Sequence, residues 1–207
     1  MPLNTTPDSY TKLLIHSDNA NENQSFVDSS VSGHTITSSG NTKHITAVKM
    51  FATSSMYFDG TGDYLTIPAS ADHNFTSNDS YTVDFWMYPT ATSGNPCIYA
   101  GWGTADDGNS AGDHYLYYAQ SSGILYWGAV NVNSAGAEWN PGLTLTDNVW
   151  QHIALVYDAD FGELPGSGSA YAFKNGIRVN SVSDPAVCSI TATTDLFTIG
   201  DNKNIDF

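Results

Sequence analysis

The stretch SSMYFDGTGDYLTIP, residues 54–68, decides how the rest of the chain is read. Two short runs of aromatic, β-branched and polar residues, 55–58 and 64–67, flank DGTGD, where glycines beside aspartates supply the chemistry of a tight reversal. Each run is too short for a stable helix and long enough for a strand. The segment reads as strand, turn, strand.

The same pattern recurs in both directions. Alternating or aromatic-rich runs separated by Gly, Asn and Asp clusters predict strands over residues 10–16, 34–37, 44–48, 55–58, 64–67, 81–88, 97–102, 114–119, 124–130, 150–158, 170–173, 177–180 and 196–199. Lys174-Asn175-Gly176 is a second turn signal, an Asn-Gly pair of the kind that closes a two-residue hairpin. Helical periodicity is nowhere sustained. Polar stretches at 104–113 and 162–169 read as surface loops. The fold class expected is all-β, a single domain spanning residues 1–207.

Composition agrees. A chain of 207 residues with 41% hydrophobic side chains can bury a sizeable core. Six Lys plus Arg against 21 Asp plus Glu give a net charge of −15, which repels phosphate backbones and anionic membrane surfaces and argues against nucleic acid as a partner. No window approaches the length of an apolar membrane span, and the first residues lack the basic start and apolar run of a signal peptide. Cys97 and Cys188 form no Cys-x-x-Cys pair, so no zinc or redox motif is present, and two buried free thiols are expected in preference to the alternative, a bridge between them.

Five segments in order, residues 54–68, YTVDFWMYP (81–89), VWQHIALVYD (149–158), FKNGIRV (173–179) and FTIG (197–200), resemble laminin-G-like jelly-roll domains of the concanavalin A-like lectin and glucanase superfamily. Residues 8–37, DSYTKLLIHSDNANENQSFVDSSVSGHTIT, are similar to the version found in bacteriophage virion proteins, especially tail fibres and other exposed appendages. The resemblance implies a two-sheet antiparallel jelly-roll sandwich of about a dozen strands, used for glycan binding or adhesion rather than catalysis. Family members close with a C-terminal strand reading like Gly-Tyr-Ile-Asp-Glu beside the first strand. Here residues 204–207 read Asn-Ile-Asp-Phe, so the closing strand is expected to be missing and residues 10–16 to need cover from another subunit or segment.

DADFGE, residues 158–163, looks like the Glu-x-Asp-x-x-Glu catalytic strand of β-glucanases with Asp in the first place. Asp158 and Asp160 would share one strand face, but Pro165 and the nearby glycines put Glu163 in a loop, and no catalytic residue is expected. Asp59 and Asp63, with Asp158 as a further donor and Asp18 and Asp28 beyond it, are candidate oxygen ligands for a structural calcium ion, although Asp beside Gly is also ordinary turn chemistry. The six histidines show no metal-binding spacing, and no Gly-x-Ser-x-Gly elbow occurs.

Sugars bind by stacking on rings and hydrogen-bonding to amides and carboxylates. Alternation over residues 81–88 puts Tyr81, Val83, Phe85 and Met87 on a core face, and Thr82, Asp84, Trp86 and Tyr88 on the other. Tyr115, Tyr117, Trp127 and Trp102 lie on or beside neighbouring strands. The candidate glycan-binding residues are Trp86, Trp102, Asp106, Asp107, Asn109, Asp113, Tyr117, Trp127, Asn133 and Trp139. The function expected is a non-catalytic virion surface or tail-appendage module that contacts host-surface or environmental glycans. Its partners would be other virion proteins and further copies of itself, its place the virion assembled in the host cytoplasm or, failing that, the extracellular space. A purely structural decoration or fibre protein is the alternative, and a glycoside hydrolase or polysaccharide lyase the third.

Overall fold

The computed structural model describes residues 7–75, 78–90, 95–101, 114–130, 136–160, 168–183 and 196–200. Among them the strands are β1 (Thr37–Ser39), β2 (Lys43–Ile45), β3 (Ser55–Tyr57), β4 (Tyr64–Ile67), β5 (Tyr81–Met87), β6 (Cys97–Gly101), β7 (His114–Ala119), β8 (Ile124–Val130), β9 (Gly136–Trp139), β10 (Gln151–Asp158), β11 (Ser169–Lys174), β12 (Ile177–Ser183) and β13 (Phe197–Ile199). A single 3-10 turn covers Ala71–His73. The strands form a seven-stranded sheet in the order β1-β4-β13-β6-β7-β8-β9, a four-stranded sheet in the order β12-β11-β10-β5, and the hairpin β2-β3. Pairing is antiparallel throughout.

Period-2 alternation makes these strands a sandwich. On β10 burial alternates strictly, so Gln151, Ile153, Leu155 and Tyr157 point inward. On β5 the inward set is Tyr81, Val83, Phe85 and Met87, as the sequence pattern predicts. Leu116, Tyr118, Leu125 and Trp127 descend from the seven-stranded sheet to meet them in one core, where Trp127 stands edge-on to Tyr81 at 5.8 Å. Burying a side chain of this size contributes about 1.5–3 kcal/mol, so these inward rows hold the two sheets together.

The turns are built as their residues demand. Asn175 and Gly176 have φ of 51° and 78°, the left-handed pair that a two-residue hairpin between β11 and β12 needs. Between β3 and β4, Asp63 is buried and its carboxylate accepts from the backbone N–H of Asn41 (2.7 Å) and of Asp59 (2.9 Å), which ties the turn to the β1–β2 connection.

Residues 10–16 do not form the expected strand. Tyr10 is exposed, and the segment makes a single bridge, Ile15 to Asp28. Its backbone bonds go elsewhere. The Asp28 carboxylate accepts from the N–H groups of Leu14 (3.0 Å), Ser30 (2.8 Å) and His34 (2.8 Å), and Ser29 N–H donates to the Leu14 carbonyl at 2.7 Å. Side-chain acceptors compete with ladder pairing in this way wherever Asp and Ser are dense. Burial alone would raise the Asp28 pKa, but the N–H donors of Leu14, Ser30 and His34 outweigh it and lower it. Residues 34–36 are likewise outside β1, and residues 201–207, where a closing strand would fall, lie outside the described residues. The opposite error is β9, where the sequence pattern predicts no strand. Its four residues, Gly-Ala-Glu-Trp, carry too little alternation to be recognised and are held by pairing with β8.

His73 is 4% exposed, and neither ring nitrogen has a hydrogen-bond partner. The ring stacks on Phe197 at 4.9 Å and lies 4.8 Å from His34. Burial, helped by the neighbouring His34, lowers its pKa to about 4. Folded and unfolded chains are both neutral there above pH ~6.5; as pH falls from there toward 4, only the unfolded chain takes up the proton, and stability declines by roughly 3 kcal/mol from this group. Urea unfolding of the wild type and of His73→Phe between pH 7.5 and 4 should show the wild type losing more stability by about that amount. Parallel curves would mean that His73 is not the group responsible.

Candidate functional site

Antiparallel pairing sets residues of adjacent strands side by side on one face. On the outer face of the seven-stranded sheet, Thr37, Thr66, Thr198, Ala100, Tyr115, Gly128 and Glu138 are successive partners from β1 to β9. Threonine, alanine and glycine keep the side chains of this row small, Ala100 and Thr198 are fully buried within it, and the Tyr115 ring lies over Gly128. A β-carbon at Gly128 would come within 2.5 Å of that ring. The next row pairs Cys97 with Tyr117 and Tyr117 with Tyr126. The Tyr117 and Tyr126 rings stack at 5.1 Å and 6° between planes.

Polar groups hold these rings. Tyr117 donates its hydroxyl to Glu138 Oε2 at 3.1 Å, and Asn140 Nδ2 donates to the Tyr126 hydroxyl at 3.2 Å. Burial, followed by the charge of Glu138, raises the Tyr117 pKa, so it remains a neutral phenol that donates. Asn140 is oriented by accepting from Gly142 N–H at 2.7 Å. Tyr115 and Tyr117 are nearly covered, whereas Tyr126 is partly open and Glu138 and Asn140 are exposed. An aromatic platform thus stands beside a carboxylate and an amide, a donor and acceptor set suited to a polyhydroxylated ligand.

A family model described as the concanavalin A-like lectin/glucanases superfamily matches residues 59–206. The chain belongs to that superfamily. No curated protein sequence matches it. Among solved structures, the binding domain of Paraclostridial Mosquitocidal Protein 1 superposes with a TM-score of 0.63 at 14% identity, over 88% of this chain and 44% of that one. Domain 4 of AbnA, an extracellular arabinanase from Geobacillus stearothermophilus, in complex with arabinotriose, gives 0.54 at 17% identity, covering 81% of this chain and 73% of that one. The endo-β-1,4-glucuronan lyase of Trichoderma reesei gives 0.53 at 13% identity, covering 90% and 77%. The chain spans less than half the length of the mosquitocidal chain.

Within this concanavalin A-like sandwich the residues singled out from sequence separate. Tyr117 belongs to the tyrosine face. Trp127 does not: it is 0% exposed in the core, because its position on β8 has inward parity, and a ligand from solvent cannot touch it. Trp139 is on β9 rather than in a loop, half-buried, with its ring 6.3 Å from Trp127 on the core side. Trp86 lies on the outer face of the other sheet. Trp102, Asp106, Asp107, Asn109, Asp113 and Asn133 fall outside the described residues. Tyr126, Glu138 and Asn140 escaped sequence reasoning. Alternation along β8 places Tyr126 opposite in sense to Trp127, the signal that could have found it.

Of the candidate calcium ligands, Asp59 and Asp63 lie together in the β3–β4 turn. Asp63 accepts two backbone N–H groups, Asp59 accepts from Thr61 N–H (2.8 Å) and Asn41 Nδ2 (3.0 Å), and Asp158 caps its own turn by accepting from Asp160 N–H (3.1 Å). Among the described residues no group of three or more His, Cys, Asp or Glu side chains could hold a metal ion. β10 ends at Asp158, so Asp160 sits in the turn that follows and not on the strand, and Glu163 lies outside the described residues.

Gly128 keeps the floor under Tyr115 open. Gly128→Ala should push that ring off the sheet and lower stability by about 1–3 kcal/mol, the usual cost of overpacking, as read by urea denaturation. Unchanged stability would show that the ring moves aside freely.

Proposed function

We propose that this chain is a non-catalytic glycan-binding module displayed on a virion surface or tail appendage, with its sugar site on the tyrosine face. The observation that carries the reading is the Tyr117–Tyr126 stack bracketed by Glu138 and Asn140. Tyr126, the partly open ring of the stack, offers an apolar surface to sugar C–H groups, with Tyr117 packed against it, while the carboxylate accepts from hydroxyls and the amide both donates and accepts. Domain 4 of the arabinanase, which shares the fold, is seen in complex with arabinotriose, and the mosquitocidal relative is a binding domain. The virion setting is supported by the resemblance of residues 8–37 to phage appendage proteins. Partners would be other virion proteins and further copies of this chain.

A glycan array run with calcium and with a chelator tests the reading. Saturable binding that survives the chelator is expected, since the polar groups of the face need no metal. Tyr126→Ala should weaken that binding five- to tenfold, from stacking worth on the order of 1 kcal/mol. No saturable ligand under either condition would leave a structural decoration role in its place.

The glucuronan lyase shows that the fold also hosts catalysts. Here β10 ends at Asp158 and Asp160 lies in the turn that follows, off the strand face a catalytic pair would share, so incubation with β-glucans and alginate should release no new reducing or unsaturated ends. Turnover abolished by Glu163→Gln would establish an enzyme instead.

A further inference from the structure

The four-stranded sheet presents its own outer face, and the aromatic group there differs in kind from the tyrosines. On β5 the outward residues include Asp84 and Trp86, and Trp86 is paired across the ladder with His152 on β10. Trp86 is 38% exposed. Phe51, from the connection between β2 and β3, is 58% exposed and meets the Trp86 ring at 86°, with centroids 5.1 Å apart. The His152 ring sits 5.4 Å from Trp86, with its Nε2 3.2 Å from Asp84 Oδ2. The Asp84 side chain itself is 62% exposed. The result is a floor, a perpendicular wall and an acid–imidazole pair along one side.

The size of the corner limits what it takes. Exposed fractions of one Trp and one Phe amount to roughly 200 Å² of aromatic surface. A stable protein interface needs about 800 Å² per partner. The area matches a single sugar ring. Its chemistry does too: a pyranose whose substituents are all equatorial turns a patch of C–H groups toward a ring beneath it and its hydroxyls outward to a rim.

We propose that Trp86, Phe51, Asp84 and His152 form a second sugar-binding site, on the opposite sheet from the tyrosine face, that takes one pyranose unit of a gluco-configured glycan. Trp86 is the stacking platform and Phe51 the wall. Asp84 accepts from a ring hydroxyl, and His152 orients the carboxylate from its other side. The inference deepens the glycan-binding reading, yet stands on different residues. Two sites on opposite faces of one sandwich cannot grip the same sugar unit, so the module would engage two glycan chains, or two stretches of one, and gain avidity from presentation in several copies.

The test is an NMR titration of the intact chain with β-1,4-linked trimers of glucose and of N-acetylglucosamine, following the Trp86 indole N–H, which Trp86→Phe identifies by its disappearance. At least one trimer should shift that signal saturably. Phe51→Ala, which removes an exposed side chain and leaves the fold intact, should raise the apparent Kd at least threefold. Tyr126→Ala should leave the Trp86 response unchanged. A Trp86 signal unmoved by both trimers, or moved equally in Phe51→Ala, would overturn the second site, and if tyrosine-face binding persisted then only the second site would fall. Sedimentation showing a dimer that Trp86→Ala dissociates would overturn it in favour of a self-interface. A Trp86 response with no binding to the tyrosine face would keep this site and remove the other.

Discussion

The edge-on contact between Tyr81 and Trp127 is where the two sheets become one molecule. Tyr81 comes from β5, an outer strand of the four-stranded sheet, and Trp127 from β8, next to the edge strand β9 of the seven-stranded one. Around them Leu116, Leu125, Ile153 and Leu155 are fully buried, and Phe75 and Tyr157 complete an aromatic cluster. Because strand parity is fixed at 2, seating Trp127 inward commits Tyr126 and Gly128 to the outside. The register of β7 against β8 then places Tyr117 opposite Tyr126 and Tyr115 opposite Gly128. The tyrosine face is therefore the obverse of the core. A one-residue slip of β8 would bury Tyr126 and expose Trp127, removing core and candidate site together.

Fold class was legible because it needs only local signals. The strands 64–67, 114–119 and 124–130 are read from sequence with the boundaries they have, and Asn175-Gly176 closes its hairpin as that dipeptide should. The N-terminal segment was misread because Leu13, Leu14 and Ile15 suggest a strand, while the carboxylate that takes up its backbone, Asp28, is thirteen residues further on from Ile15 and visible only in three dimensions. β9 was missed for the converse reason, since its strand character comes from a neighbour and not from its own residues.

The candidate site was legible only in part, and the division follows from parity. Tyrosine and tryptophan serve both core and surface, so composition cannot assign them. Trp127 and Tyr117 were chosen for the same reason and lie on opposite sides of one sheet. Glu138 and Asn140 carry no motif. They matter because β9 delivers them beside two phenols, a fact of pairing that no spacing in the sequence records.

The charge of the chain bears on both outer faces. With a net charge of −15, the surface repels polyanions, and the exposed carboxylates of Glu138 and Asp84 sit at the rims of the two aromatic groups. Sialylated or uronic-acid-rich glycans would meet that field directly, whereas neutral glycans lose nothing to it. Under the proposed glycan-binding reading, aromatic rings flanked by hydrogen-bond acceptors on a polyanionic body suit neutral hydroxyl-rich ligands held by stacking. Arg178, which stands over Tyr171 at 6.0 Å on the four-stranded sheet, is too isolated to reverse that preference. On the proposed reading both faces would take the same ligand chemistry by the same means, a ring to stack on and an acceptor to orient, although the residues that supply them share neither strand nor sheet.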